Sequence, residues 1–238
     1  MKGRTIVILV AMTVTLMASS ASVWAAPCAV NPSALPTFLG GTGGVPAPCS
    51  FTVGDKTFTG NDSLAFNGSG TFSPSSASLI SVLAGTFFGL PGLQINGALS
   101  VGPAAPSSLD VAFSYTVTSS DGPITDVHLL FDGSFTGSGT TAVTESVFTT
   151  GGASLGQAVV QNPPSGHQDV TINLSSPATS VVILKDIKLS NGPVNTGTAN
   201  ISIIDQLVSQ TVPEPATLLL LGGGLIGMAL GRWRFGRK

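Results

Sequence analysis

The sequence predicts an all-β chain built around a single antiparallel β-sandwich or jelly-roll-like domain, on three observations. From Cys49 to about residue 211, short runs rich in Val, Ile, Thr and Phe are broken by Gly, Pro, Asn, Asp and Ser, the pattern of short strands joined by tight turns. Helix-favouring Glu, Lys and Arg are nearly absent there, and no segment before Ala216 sustains a long 3.6-residue apolar period. Strict alternation occurs within some runs: in 109–117, Val111, Phe113, Tyr115 and Val117 share one face while Asp110, Ser114 and Thr116 share the other. That is the half-buried antiparallel pattern, and ten to twelve such strands are expected to close into two packed sheets.

The elements follow in order. Residues 1–25 read as a secretory signal peptide: Met1-Lys2-Gly3-Arg4 is positive, Thr5 to Met17 is apolar, and small residues run to Ala26. Val23-Trp24-Ala25 places cleavage after Ala25 and implies entry through the secretion translocon. Pro27 before Cys28 makes that cysteine a poor lipidation site. Residues 26–48 form a Gly/Pro-rich segment with little regular structure expected. Cys28 and Cys49, the only two cysteines, are expected to pair in an exported protein and close a loop of 22 residues. Such a staple would stabilise by roughly 3 kcal/mol on the loop-entropy model.

Residues 49–211 are the β-domain. Its clearest strands are 50–53, 56–59, 109–117 and 169–174, with a hairpin turn at Val53-Gly54-Asp55-Lys56, where Gly supplies a positive φ. Ser180 to Leu189, with Val181-Val182-Ile183-Leu184, is more uniformly apolar and is expected to be a central strand. Between residues 26 and 212, three lysines (Lys56, Lys185, Lys188) face ten acidic residues, a net charge of −7 with no arginine. A surface of that sign offers no footprint for nucleic acid or anionic lipid.

Catalytic signals in this body are weak. Neither His128, on an expected strand, nor His167, in a Pro/Gly-rich loop, has a second His or Cys at metal spacing. Free spacing makes a Ser-His-Asp arrangement compatible with the plentiful Ser and Asp, but no Gly-x-Ser-x-Gly elbow is expected. Glu145 is the one glutamate, and the aspartates are expected to flank turns, as at Asp121-Gly122 and Asp132-Gly133. No cofactor, metal or catalytic site is assigned.

The last segment, 212–238, has three parts. Val212-Pro213-Glu214-Pro215-Ala216 is stiff and lacks two backbone donors. The 15 residues 216–230 are uncharged, dominated by Ala, Leu, Ile and Gly, and as a helix would run about 22 Å, a marginal membrane span. Arg232, Arg234, Arg237 and Lys238 close the chain and predict a cytoplasmic C-terminus.

These residues resemble the PEP-CTERM sorting signal of Gram-negative bacteria: Val-Pro-Glu-Pro-Ala-Thr, a Leu/Gly-rich span, then arginines, here interleaved with Trp233, Phe235 and Gly236. The resemblance implies recognition by an exosortase, transient anchoring in the inner membrane, removal of the tail near Pro213-Glu214-Pro215, and delivery to the cell surface or outside. It also implies association with exopolysaccharide and biofilm matrix. The body is similar to a domain found upstream of such signals, through Phe51 to Phe58, Gly92 to Gly97, Lys185-Asp186-Ile187 and Ser209 to Val212. That resemblance carries no activity.

Two alternatives stand beside this reading. One is a secreted carbohydrate-binding module, weakened because the body has no Trp and Tyr115 lies on an apolar face. The other is a permanently tail-anchored envelope protein.

Overall fold

The computed structural model of the chain describes residues 25–40, 47–103, 105–163, 167–194 and 196–210. The expected signal peptide up to Trp24, and the expected Pro-Glu-Pro element, apolar span and basic cluster, lie outside them. Two seven-stranded sheets face one another among the described residues. The first holds, in spatial order, β1 (Ala26–Pro27), β3 (Cys49–Val53), β4 (Lys56–Ser69), β8 (Ser108–Ser119), β13 (Ser180–Ser190), β10 (Thr140–Thr149) and β11 (Ser154–Asn162). The second runs β12 (His167–Ala178), β9 (Ile124–Thr136), β14 (Thr198–Gln210), β7 (Leu90–Val101), β6 (Ser81–Phe87) and β2 (Ser33–Ala34), with β5 (Phe72–Ser73) added on β7. All pairings are antiparallel except β1 with β3. From β7 to β14 the chain changes sheet at every step except β10 to β11, so most pairings join residues distant in sequence.

Alternation builds the core. On β8, Leu109, Val111, Phe113, Tyr115 and Val117 are all buried, as that strand's period of two requires. They pack with Val127, Leu129 and Phe131 of β9 and Ile204 and Val208 of β14 in one continuous cluster. The expected Val53–Lys56 turn is present, with Val53 opposite Lys56 and Gly54 at φ +60°.

β13 is central, between β8 and β10. Its apolar run nevertheless buries one face alone: Val181, Ile183, Ile187 and Leu189 point inward, whereas Leu184 is 40% exposed.

Two expectations are corrected. The segment between the cysteines is not irregular throughout: Leu35–Leu39 forms a short helix, α1, with Pro36 in its first turn and Gly40 (φ +80°) ending it. Proline is accommodated there because the first-turn N–H has no helical partner. Leu35, Phe38 and Leu39 are completely buried. The rings of Phe38 and Phe51 stack at 5.6 Å, and Tyr115 lies 6.1 Å from Phe38. Apolar burial, worth about 1.5–3 kcal/mol for each such side chain, overrides the poor helix propensity of a five-residue segment.

Asp132-Gly133 is also not a turn but sits inside β9. A Cβ at Gly133 would lie 2.5 Å from the Phe131 ring and 3.0 Å from the Asn200 carbonyl. This glycine therefore makes room beside the β14 bulge at Ile201–Ile203 rather than reversing the chain.

Candidate functional site

The sorting motif joins the sandwich at Gln210, the last residue of β14, and a polar clasp fixes that residue. Lys56 Nζ donates to Gln210 Oε1 at 2.5 Å and also to Asp55 Oδ2. Ser119 Oγ lies 3.0 Å from Asp55 Oδ2 and 3.1 Å from Gln210 Oε1. Lys56 and Ser119 are cross-strand partners on β4 and β8 of the first sheet, whereas Gln210 belongs to the second, so the clasp ties the two sheets at the exit point. Lys56 is almost wholly buried. Burial of Asp55 works to raise its carboxyl, but hydrogen bonds from Lys56 and Ser119 and the lysine charge outweigh it and hold the group below its ordinary range.

Of the sequence-predicted site residues, Cys28 and Cys49 are brought together as a disulfide with Cα atoms 4.9 Å apart. Ala25 precedes β1, and its carbonyl accepts from Ser50 Oγ at 3.4 Å. Val212, Pro213, Glu214, Pro215, Ala216, Arg232, Arg234, Arg237 and Lys238 lie outside the described residues.

The outer faces carry polar constellations. On the second sheet, His128 Nε2 lies 2.9 Å from Asp126 Oδ1 and 3.2 Å from Ser209 Oγ, while Nδ1 lies 3.1 Å from Thr171 Oγ1. Ser209 Oγ itself donates to Asp126. A catalytic triad needs the serine proton on the histidine and the carboxylate on the opposite ring nitrogen. Here aspartate and serine share one nitrogen and the serine proton is already engaged, so the group ties β9, β12 and β14 together.

The spacing Gly-x-Ser-x-Gly does occur, at Gly152-Ala153-Ser154-Leu155-Gly156. It is the hairpin between β10 and β11, with Gly152 at φ +86° and no helix following, and a nucleophile elbow requires a strand-to-helix turn. His167, expected in a loop, opens β12, with Nδ1 3.4 Å from Asp132 Oδ1.

On the first sheet, a groove of about 540 Å³ crosses β8, β13, β10 and β11, lined in part by Ser108, Asp110, Thr140, Gln161 and Lys188. Lys188 Nζ pairs with Asp186 Oδ2 at 2.6 Å. Burial, and then the neighbouring Asp186, raise the Asp110 carboxyl. A second groove of about 480 Å³ crosses β7, β9 and β14 and is rich in serine. Among the described residues, no group of three or more His, Cys, Asp or Glu is placed to hold a metal ion.

Fold and junction together define an all-β sandwich whose last central strand leads directly into a C-terminal protein-sorting segment. That segment, residues 211–237, matches the family model described as the PEP-CTERM protein-sorting motif, so the chain carries this motif. No curated protein matches the chain.

Among solved structures, the carbohydrate-binding module TmCBM61, solved with β-1,4-galactotriose, is 12% identical over 61% of this chain and 88% of its own, with a TM-score of 0.32. The mannan-recognising module TmCBM27 is 13% identical over 61% and 89%, with a TM-score of 0.31. The family 11 carbohydrate-binding module of a Clostridium thermocellum cellulosomal cellulase is 9% identical over 63% and 89%, with a TM-score of 0.25. These likenesses are distant, and the sandwich rests on its own strand pairing.

Proposed function

We propose that the protein is an exported, non-catalytic passenger: delivered across the inner membrane, held there briefly by residues 216–231, cut by an exosortase near Pro213-Glu214-Pro215, and passed to the cell surface or extracellular matrix. The observation that carries this reading is the sorting motif at 211–237, which begins where β14 ends at Gln210. Pro213 and Pro215 have no backbone N–H to donate to a sheet ladder. A peptidase working at the membrane would meet its recognition motif within a few residues of the clasped end of β14. The mature sandwich then serves as a structural or interaction module of the matrix.

Replacing Pro213-Glu214-Pro215 by three alanines in the native host tests this. The expected outcome is a precursor retained in the inner membrane with Met228 and Trp233 still present. Unaltered release of the shortened form would overturn the proposal, and wild-type surface protein that still carries Trp233 would establish a permanent anchor instead.

A sugar-binding role draws on the two outer-face grooves. It lacks a stacking platform: among the described residues the one Tyr or Trp is Tyr115, which is fully buried. Affinity electrophoresis against the host's exopolysaccharide separates the readings, with retardation favouring sugar binding.

A further inference from the structure

Lys185 and Glu145 sit opposite one another on β13 and β10, both side chains wholly inaccessible, with Nζ 2.5 Å from Oε2. Their strand neighbours are apolar, and the buried Asp205 is near enough to act on the lysine charge. Ile183 and Ile187 flank the lysine, Val143 and Val147 flank the glutamate, and Phe113 is the lysine's cross-strand partner on β8. The other carboxyl oxygen, Glu145 Oε1, has no hydrogen-bond partner, nor has the phenol of Tyr115, two residue pairs along β8 and β13.

An ion pair is poorly served here: two charges have been taken from water and half of the carboxylate is left unsatisfied. Burial lowers the Lys185 ammonium from its ordinary value, against the opposing pull of Glu145 and of Asp205. Tyr115 is pushed well above its usual value by burial and then by the Glu145 charge, so it stays protonated as a donor inside the sandwich.

We propose that Lys185 and Glu145 condense to an intramolecular amide, an isopeptide cross-link between the two strands. The ammonium proton passes to the carboxylate across their contact, leaving an amine and a carboxylic acid. The Nζ lone pair attacks Cδ, the Cδ–Oε2 bond breaks, and that oxygen departs as water with the acid proton and one amine proton. No oxidant or co-reactant is consumed. Holding the two groups in contact removes the cost of bringing them together, and the product replaces two buried charges with one neutral amide.

The experiment is peptide mass mapping of the full chain after denaturation, reduction and trypsin. No Lys or Arg lies between Lys56 and Lys185, and Lys188 follows. An acylated Lys185 cannot be cut, so the expected product is a single 57–188 peptide lighter than its sequence mass by one water, with fragment ions that place the link between residues 145 and 185. The double variant Lys185→Met/Glu145→Leu, an apolar replacement of similar volume, should show no mass deficit. Recovery of wild-type peptide 57–185 at full sequence mass, cleaved after Lys185, would overturn the proposal.

Discussion

Gly60 shows how one atom decides a contact. A Cβ there would lie 2.1 Å from the Phe38 carbonyl oxygen, so β4 can pass beneath α1 because this residue has no side chain. Gly60→Ala is expected to displace the helix and cost about 1–3 kcal/mol, the range for overpacking, read as a lower urea midpoint.

Titration offers a second residue-scale test, with opposite signs at two carboxylates. Asp55 is held low, so its contribution is present above the unfolded value of about 3.9 and fades as pH falls through the folded one. Asp55→Asn should therefore lower the denaturation midpoint at pH 7 and match wild type in strong acid. Asp205 is raised, first by burial and also by Asp132, although Gln94 donates to it at 2.9 Å. Its contribution is present below the unfolded value and is lost as pH rises through the folded one. Asp205→Asn should leave the midpoint at pH 7 unchanged or higher, with the difference vanishing in acid. Nothing in the sequence marked these roles. Lys56 stood out as one of three lysines beside a hairpin aspartate, but its reach to Gln210 spans 154 residues and leaves no local signal.

At the scale of elements, α1 and the disulfide act as one plug. Phe38→Ala removes a fully buried ring that touches Phe51 and Tyr115 and is expected to cost about 3–5 kcal/mol. Cys28→Ser/Cys49→Ser should cost roughly 3 kcal/mol on loop entropy, measured as a fall in denaturation midpoint that reducing agent reproduces in the wild type. Strands were legible because alternation is a local property: Val111 to Val117 announce their face without help from the rest of the chain. The helix was not, since Leu-Pro-Thr-Phe-Leu is too short for a period and its stability comes from the core it enters. Asp132-Gly133 misled for a related reason, because a glycine that admits the Phe131 ring reads locally like a turn. Lys185 gave no local sign of its partner, since only the register sets it opposite Glu145.

For the whole molecule, composition separates the precursor from its product. Every Met, Trp and Arg lies in 1–25 or 212–238, so processed protein is expected to incorporate no methionine label and to show tyrosine but no tryptophan fluorescence. Retained label would place the cut elsewhere. The tail was the most legible segment because its order of Pro-Glu-Pro, apolar span and cations is a linear message that needs no fold to be read. The role of the sandwich was not legible, because its outer-face groups, such as Asp126, His128, Thr171 and Ser209, come from three strands and meet only once the sheets form.

The position of β14 has a mechanical consequence. It lies between β9 and β7, paired to β9 from Thr198 to Gln210 and to β7 from Ala199 to Leu207, and any pull on the sorting tail enters at its end. A tether under tension would have to shear both ladders together instead of peeling a border strand one bond at a time, so the body would resist extraction during transit and drag from flow while still attached.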